Sequence, residues 1–340
     1  MNAVATPMEE KKIYCGICEA SCGLVATVQG DEILKLRGDP DHPQSEGFIC
    51  PKGANFASIR NDPDRVLHPL QRQADGSFKQ VSWDEALDDI GARLRQVVKT
   101  HGTESVGVYL GNPNAWNYGA FLWLFGFAAA LKTKHYYTAS SADINNYWVV
   151  GHLLYGHNLS NPFPDITHTD FFVVLGSNLT VSHGSMMTVG RVKEKMQAIV
   201  ARGGRVVVID PRRTETAQQF EWQPLKPDGD PWLVAAMLKT LIDERLADER
   251  ALREMTTGWA SLPALLADIT PERVEAETGM RHADIQQLAR AFVAAKSAAL
   301  YGRCGASLGP FSTLTKYLID VFNIASGNFD RRGGVVFGRP

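Results

Sequence analysis

Three of the chain's five cysteines fall within one short stretch, Cys15, Cys18 and Cys22 in "CGICEASC", and a fourth, Cys50, follows in "GFICPKG". Four thiolates can hold a tetrahedral zinc ion or a cubane iron–sulfur cluster. Zinc sites usually draw two ligands from each of two Cys-x2-Cys turns. Here three ligands come from one loop and one from far along the chain, which suits the corners of a larger object. The spacing therefore favours a [4Fe–4S] cluster and leaves zinc as the alternative. Gly16 and Gly23 directly follow cysteines, where backbone N–H groups turn toward sulfur at little steric cost. Lys52 is at its plainest a solvated turn lysine, and in a functional reading a fixed cation beside an anionic cluster. The fifth cysteine, Cys304 in "YGRCGASLG", reads as a packed core thiol.

The chain around these residues is an ordinary globular one. Its 340 residues suffice for two or three domains, with 44% hydrophobic and 21% charged residues. A formal charge of −2 recruits neither nucleic acid nor an anionic membrane. The longest apolar run, "AFLWLFGFAAAL" (120–131), is too short to span a bilayer and reads as a buried helix. The start, "MNAVATPMEEKKIYCG", has no hydrophobic signal core and no twin arginine, so the expected location is cytoplasmic. Clustered cysteines in a reducing compartment are metal ligands or catalytic groups rather than disulfides.

Residues 24–40 alternate in a strand-like way and suggest a small β-rich subdomain around the cysteines. From residue 80 helices and strands alternate. Ser82 and Glu85 form a capping box ahead of an amphipathic helix. Strands are expected at 106–110, 171–175, 205–209 and 298–301, an order that implies parallel sheets covered on both faces. The strand "FFVVL" ends at Gly176-Ser177-Asn178. A helix with Val189, Val192, Met196, Ile199 and Val200 on one face follows, stopped by Gly203-Gly204. The next strand ends in "IDPRRTET", with Asp210 at its tip. In dinucleotide-binding folds these positions approach a pyrophosphate and a ribose diol, although the strict G-x-G-x-x-G is missing.

The segment "YCGICEASCGLVATVQGDEILKLRGDPDHPQSEGFICPKG" resembles the N-terminal iron–sulfur domain of the molybdenum/tungsten bis-pterin oxidoreductases, the dimethyl-sulfoxide-reductase superfamily. The likeness extends over essentially the whole chain. It implies an α/β protein: a small β-rich [4Fe–4S] domain (9–64) followed by interleaved doubly wound parallel α/β domains. The first of these (65–140 and 298–340) is incomplete, and the second (141–297) is dinucleotide-binding-like. The resemblance also implies that Cys15, Cys18, Cys22 and Cys50 hold the cluster and that Lys52 relays electrons between cluster and pterin. The loops Gly176-Ser177-Asn178 and Asp210, Arg212, Thr214 would hold one guanine dinucleotide tail, Arg212 facing a phosphate. Asp230, in "KPDGD", would meet the guanine, although Asp228-Gly229 stand where the family usually has glycine and threonine.

The family places any protein ligand to the metal in the loop corresponding to 135–148. No cysteine lies between Cys50 and Cys304, so the expected donor is oxygen: Asp143 first, Ser141 second, with Ser140 also in reach. The nearby His135, His183, Tyr136, Tyr137 and Trp148 suit the wall of a funnel, but such histidines are more often structural. Formate dehydrogenases of this family use cysteine or selenocysteine followed by histidine, which argues here for oxygen-atom transfer or hydroxylation of a small substrate.

The expected cofactors are one [4Fe–4S] cluster and a molybdenum or tungsten bis-molybdopterin guanine dinucleotide. The expected partners are a small-molecule substrate and a redox protein or subunit, with no nucleic acid and no membrane span. The alternatives are an electron-transfer subunit that has lost molybdenum, like the large subunit of respiratory complex I, and a zinc-bearing binding module. The end, "IASGNFDRRGGVVFGRP", resembles a mid-chain segment of the family, so the 340 residues are expected to be an N-terminal part, inactive alone.

Overall fold

The computed structural model describes residues 6–338; the first five residues, read above for a targeting signal, and residues 339–340 lie outside the described residues. The chain forms two compact units, Met1–Ala139 and Ser140–Pro340.

In the first unit, β1 (Met8–Tyr14), β2 (Gly23–Gln29) and β3 (Glu32–Gly38) make an antiparallel sheet in that order. Tyr14 pairs with Gly23 at the end of the first hairpin. The loop between those two residues is the one that carries Cys15, Cys18 and Cys22. Its neck is closed by Cys15 N–H donating to the Cys22 carbonyl at 2.8 Å. Cys50 is the N-cap of a one-turn helix, α1 (Pro51–Ala54), whose proline sits where a helix needs no N–H.

Farther on, Ser82 Oγ accepts from Glu85 N–H and the Glu85 carboxylate accepts from Ser82 N–H, so the capping box forms and opens α2 (Trp83–His101). A parallel pair, β4 (Val108–Leu110) and β5 (Tyr136–Thr138), brackets α3 (Tyr118–Leu131). The strand expected from 106 begins at 108, because Val106 ends a 3-10 turn. The apolar run 120–131 is helical as expected, but it is not buried: Trp123 is 79% exposed and Leu122 57%. A helix apolar on every side needs partners on every side, and no residue of α3 is buried within this unit.

The second unit is built on four parallel strands ordered β8-β7-β6-β9: β6 (Phe171–Leu175), β7 (Arg205–Ile209), β8 (Glu221–Gln223) and β9 (Ala298–Gly302). Successive strand residues point to opposite faces, and the two cores divide accordingly. Phe171, Val173, Leu175, Val207, Ile209 and Leu300 join one. Phe172, Val174, Val206 and Val208 join the other, with Val192, Met196 and Ile199 from α5 (Val192–Ala201). Val200, assigned to the same face of α5, is instead half exposed. On the first face lie α6 (Asp230–Asp243), α7 (His282–Ala294) and α8 (Ser312–Ala325). This is the doubly covered parallel sheet that the strand order implied.

The expectation that 298–340 belongs with 65–140 meets a different hydrogen-bonding pattern. β9 is an edge strand of the sheet that contains β6, with Ala298 opposite Phe171. Its free edge is covered by Asn323 of α8, whose amide accepts from Leu300 N–H at 3.0 Å and donates to Leu300 C=O at 2.9 Å. A buried edge must have its backbone groups paired, and Asn323 pairs them. The segment between β8 and β9 is long and helical, so spacing along the chain hid the fact that β9 returns beside β6.

Candidate cofactor site

In the first unit the four cysteines form one neighbourhood. All are free thiols. Cys15 and Cys22 are 7% exposed and pack with Cys18 and Ile49, the residue before Cys50. Burial pushes the Cys22 thiol up to about 11, and Cys15, Cys18 and Cys50 each push it further in the same direction. A buried thiol whose ionisation its three neighbours oppose belongs to a donor set suited to a strongly positive iron–sulfur core, whose charge makes thiolate the favoured form. Among the described residues, no three His, Cys, Asp or Glu side chains are drawn in as a cage for a metal ion. Lys52 is exposed on α1 and acts to lower the Cys18 thiol, which burial raises.

In the second unit the candidate residues gather at the carboxyl ends of the parallel strands. β6 runs on through α5 to β7 on one side, while β9 returns on its other side, so the gap between β6 and β9 is a topological switch point. There the two loops touch backbone to backbone. Gly305 N–H donates to Gly176 C=O at 2.9 Å, and Arg303 N–H donates to Leu175 C=O at 3.1 Å. Gly176 has φ +56, and a Cβ on it would stand 2.3 Å from the Ala306 nitrogen. Only glycine fits both the left-handed backbone and that approach.

The neighbouring loops are tied by Asn178. Its Nδ2 donates to Glu215 Oε2 at 2.7 Å, while its Oδ1 accepts from Thr216 N–H and from Thr216 Oγ at 2.8 Å. Glu215 also meets Arg212 at 3.3 Å, which makes it a site residue that motif reading missed, although it lies inside "DPRRTET". Asp210 Oδ1 accepts from Arg212 N–H at 2.9 Å, an Asx turn that orients the loop. Arg212 is exposed. Thr214 and Ser177 are buried instead, and Thr214 Oγ accepts from Ala217 N–H at 3.1 Å, so it shapes the turn from inside. Asp230 opens α6 at 6% exposure. Burial raises its carboxyl to about 7, with added contributions from Asp228 and Asp210, so the charges of Asp210 and Asp230 act in one region. A glycine cradle, a helix start, the buried Asp230 and the half-buried Asp210 are suited to a nucleotide whose N–H and O–H groups donate.

Asp143 and Ser141 lie just before α4 (Asn145–Tyr155). Ser141 is exposed, and Ser140 C=O accepts from the Asp143 and Ile144 N–H groups. The Asp143 carboxylate accepts from Arg303 at 2.7 Å and from the Cys304 thiol at 3.2 Å. Cys304 is thus not a core thiol: it is half-buried and faces the very carboxylate nominated for the metal. Burial opposes the charge on Arg303, but Tyr147, Tyr301, Cys304 and Asp143 outweigh it and hold the guanidinium firmly protonated. Arg303 lies 5.3 Å from the Tyr147 ring centre, and Lys316 lies 4.9 Å from the same ring. Lys316 in turn pairs with Asp320 on α8, both 3% exposed. Tyr147 therefore stands between two cations, each with its own carboxylate. No sequence signal marked this arrangement, because its members lie on three separate segments. His183, buried with a left-handed backbone, ends a helical turn after Asn178.

Comparison with known proteins bears on the family and the fold. Residues 65–304 match the molybdopterin oxidoreductase family, and residues 8–62 match the molybdopterin oxidoreductase Fe4S4 domain. The thiosulfate reductase molybdopterin-containing subunit of Salmonella typhimurium is 27% identical over 94% of this chain and 41% of its own length. A probable oxidoreductase of Bacillus subtilis is 31% identical over 93% of this chain and 46% of its own. The solved structure of acetylene hydratase from Pelobacter acetylenicus superposes with a TM-score of 0.83 at 25% identity, over 97% of this chain and 45% of that one. The chain spans less than half the length of these relatives. With the family matched over most of its residues and the Fe4S4 domain over the cysteine-bearing segment before them, the chain belongs to the molybdopterin oxidoreductases that carry an Fe4S4 domain.

Proposed function

We propose that this chain is the cluster-bearing and nucleotide-binding part of an oxidoreductase that moves electrons between a small substrate and an external redox partner. The cofactors in this reading are a [4Fe–4S] cluster on Cys15, Cys18, Cys22 and Cys50 and a molybdenum or tungsten bis-molybdopterin guanine dinucleotide. When bound, the metal supplies two-electron chemistry on the substrate, as oxygen-atom transfer or hydroxylation, and the cluster passes electrons singly.

The observation that carries the reading is the gathering of Gly176, Asn178, Asp210 and Asp230 at the carboxyl ends of β6, β7 and β8. In their roles here, Gly176 gives the backbone approach for a phosphate and Arg212 offers it charge. Asp210 accepts from a ribose hydroxyl with its outer oxygen, and Asp230 accepts from the base. Ser177, Asn178 and Thr214 hold the loops in place. Lys52 keeps a positive charge beside the cluster and lowers the cost of adding an electron's charge elsewhere along the path. Asp143, with Ser141 as second choice, offers oxygen to the metal; its Oδ1 is already shared with Arg303 and Cys304, which leaves Oδ2 for that role. Five free cysteines agree with a reducing, cytoplasmic setting, and among the described residues no helix is long and apolar enough to cross a membrane.

The test is metal, pterin and nucleotide analysis of the full-length, anaerobically purified protein, together with its EPR spectrum. The expected result is a cubane cluster, molybdenum or tungsten, pterin and guanine nucleotide in one protein. A cluster without pterin would instead establish an electron-transfer subunit, and zinc without iron a binding module.

A further inference from the structure

The segment that carries Asp143 is tied to the loop after β9 by four hydrogen bonds. Asn146 Nδ2 donates to Ser307 C=O at 2.9 Å, and the Tyr147 hydroxyl donates to Gly302 C=O. Arg303 Nη2 and the Cys304 thiol both donate to one oxygen of Asp143, Oδ1. The Arg303 backbone is held as well. Its N–H donates to Leu175 C=O at 3.1 Å, and its C=O accepts from Ala306 N–H at 2.7 Å. The guanidinium lies over the Tyr147 ring, a ring that also carries Lys316. The Arg303 side chain is 5% exposed and that of Asp143 41%. A buried, clamped cation therefore grips one oxygen of a carboxylate that is otherwise open.

We propose that Arg303 is a positioning residue for the metal: it fixes Asp143 so that Oδ2 alone is presented, and its charge eases reduction there. The inference rests on the reading of Asp143 as the metal's oxygen donor, and it adds the residue that makes Asp143 a one-oxygen donor. A free carboxylate gives a metal either one oxygen or both. Here Oδ1 already accepts from a guanidinium and from a thiol. Turning it to the metal would strip a buried cation of its acceptor, a costly loss. One-oxygen donation spares a metal position for substrate. The electrostatic consequence has a definite sign. Reduction adds negative charge at the metal, and a fixed cation in a poorly hydrated place favours that charge. The hydrogen bond to Oδ1 also draws charge out of the carboxylate and weakens it as a donor, the way outer partners of metal ligands tune potentials. Both effects raise the potential. Arginine suits the role because it stays charged and its planar fork packs on an aromatic ring while donating sideways.

The test is an EPR-monitored redox titration of the full-length, anaerobically purified holoenzyme, following the signal of the metal's one-electron-reduced state. Metal content and the cluster signal check that each variant is loaded. Arg303→Met is expected to lower the metal's midpoint potential by at least about 59 mV, the equivalent of a tenfold change for one electron. Arg303→Lys, which keeps the charge, is expected to lie closer to wild type. A potential that Arg303→Met leaves unchanged or raises overturns the inference, and so does an equal fall in both variants. Should Arg303→Met fail to load metal, Arg303→Gln, neutral but still a donor, replaces it under the same criterion. Asp143→Ala separates the two levels. If it alters the metal's signal while Arg303→Met does not, only this inference fails; if it leaves signal and potential as in wild type, the Asp143 reading fails with it.

Discussion

The Asp143 carboxylate and the Arg303 guanidinium meet at 2.7 Å although 160 residues separate them in the chain. The pair is lopsided: the Arg303 side chain is 5% exposed and that of Asp143 41%. Removing one partner of a fully buried pair costs about 3–5 kcal/mol, because the other is left charged and dry. Here that penalty falls almost wholly on Arg303. Asp143→Ala is expected to cost about 2 kcal/mol once screening at the half-exposed carboxylate is allowed for. Arg303→Met, which leaves a carboxylate that water can reach, is expected to cost less, on the order of 1 kcal/mol. Urea unfolding of the two variants measures the asymmetry, and equal or reversed losses would show that the pair is not strained in this sense.

The same carboxylate governs the thiol of Cys304. Burial raises this thiol first, Arg303 lowers it, and the hydrogen bond to Asp143 and its charge raise it again. Asp143→Asn removes the negative charge and keeps the shape. The thiolate fraction at pH 8 should then rise, and with it the rate of alkylation, since thiolate is the reacting form. Arg303→Met should slow the reaction. Iodoacetamide labelling followed by peptide mass spectrometry reads Cys304 apart from the four clustered cysteines. The expected order of rates is Asp143→Asn above wild type above Arg303→Met.

How far the sequence could be read depended on whether a residue's partners were local. The strands at 171–175 and 205–209 were legible to the residue, since period-two burial on both faces leaves an unbroken apolar run. The capping box at Ser82 and Glu85 needs only three residues' spacing, and it forms. The cysteine loop was legible because a hairpin brings its two ends together. Three things were not. The place of β9 beside β6 depends on a crossover that pattern does not encode. The exposure of α3 depends on what packs over it, whereas the apolar run shows only that it is a helix. The Asp143–Arg303–Cys304 contact joins two segments that no motif connects. Reading Cys304 as core followed from its standing alone, far from the clustered cysteines, and the carboxylate facing it lay far off in sequence.

Asp230 makes stability depend on pH in a defined direction. Its carboxyl is raised from 3.8 to about 7, so the folded chain holds this proton more tightly than the unfolded one. Between about pH 4 and pH 7 the folded state binds more protons, and stability falls as pH rises. Below about 4 both states are protonated and the effect is flat; above about 7 both are ionised and the whole penalty is present. The cofactor-free protein is therefore expected to lose on the order of 4 kcal/mol across this window through Asp230 alone. Asp230→Asn should remove that slope and raise stability at pH 8, as measured by denaturant midpoints from pH 4 to 8. A variant that follows the wild-type profile would mean that the buried carboxyl titrates normally.

Gly176 tests the switch point itself, because its two constraints separate cleanly from those of another glycine. At Gly203 the backbone is also left-handed, φ +88, but a Cβ there meets nothing within 4 Å. Gly203→Ala is expected to cost only the backbone term, about 1–2 kcal/mol. Gly176→Ala carries a similar backbone term and adds a Cβ 2.3 Å from the Ala306 nitrogen and 2.6 Å from the Gly305 carbonyl carbon. Neither neighbour is a flexible side chain, so relief requires the β6 and β9 loops to part. Parting them stretches the hydrogen bond from Gly305 N–H to Gly176 C=O, for a further loss of about 1–3 kcal/mol. The site should feel this as well, since Gly305 and Ala306 also line a small cleft with Asp230. Gly176→Ala is therefore expected to lose both stability and GMP binding, whereas Gly203→Ala loses a little stability and keeps its affinity. Denaturant midpoints and GMP titration on the two variants make the comparison, and equal effects at both positions would remove the close approach of Gly176 and Gly305 as the reason for glycine there.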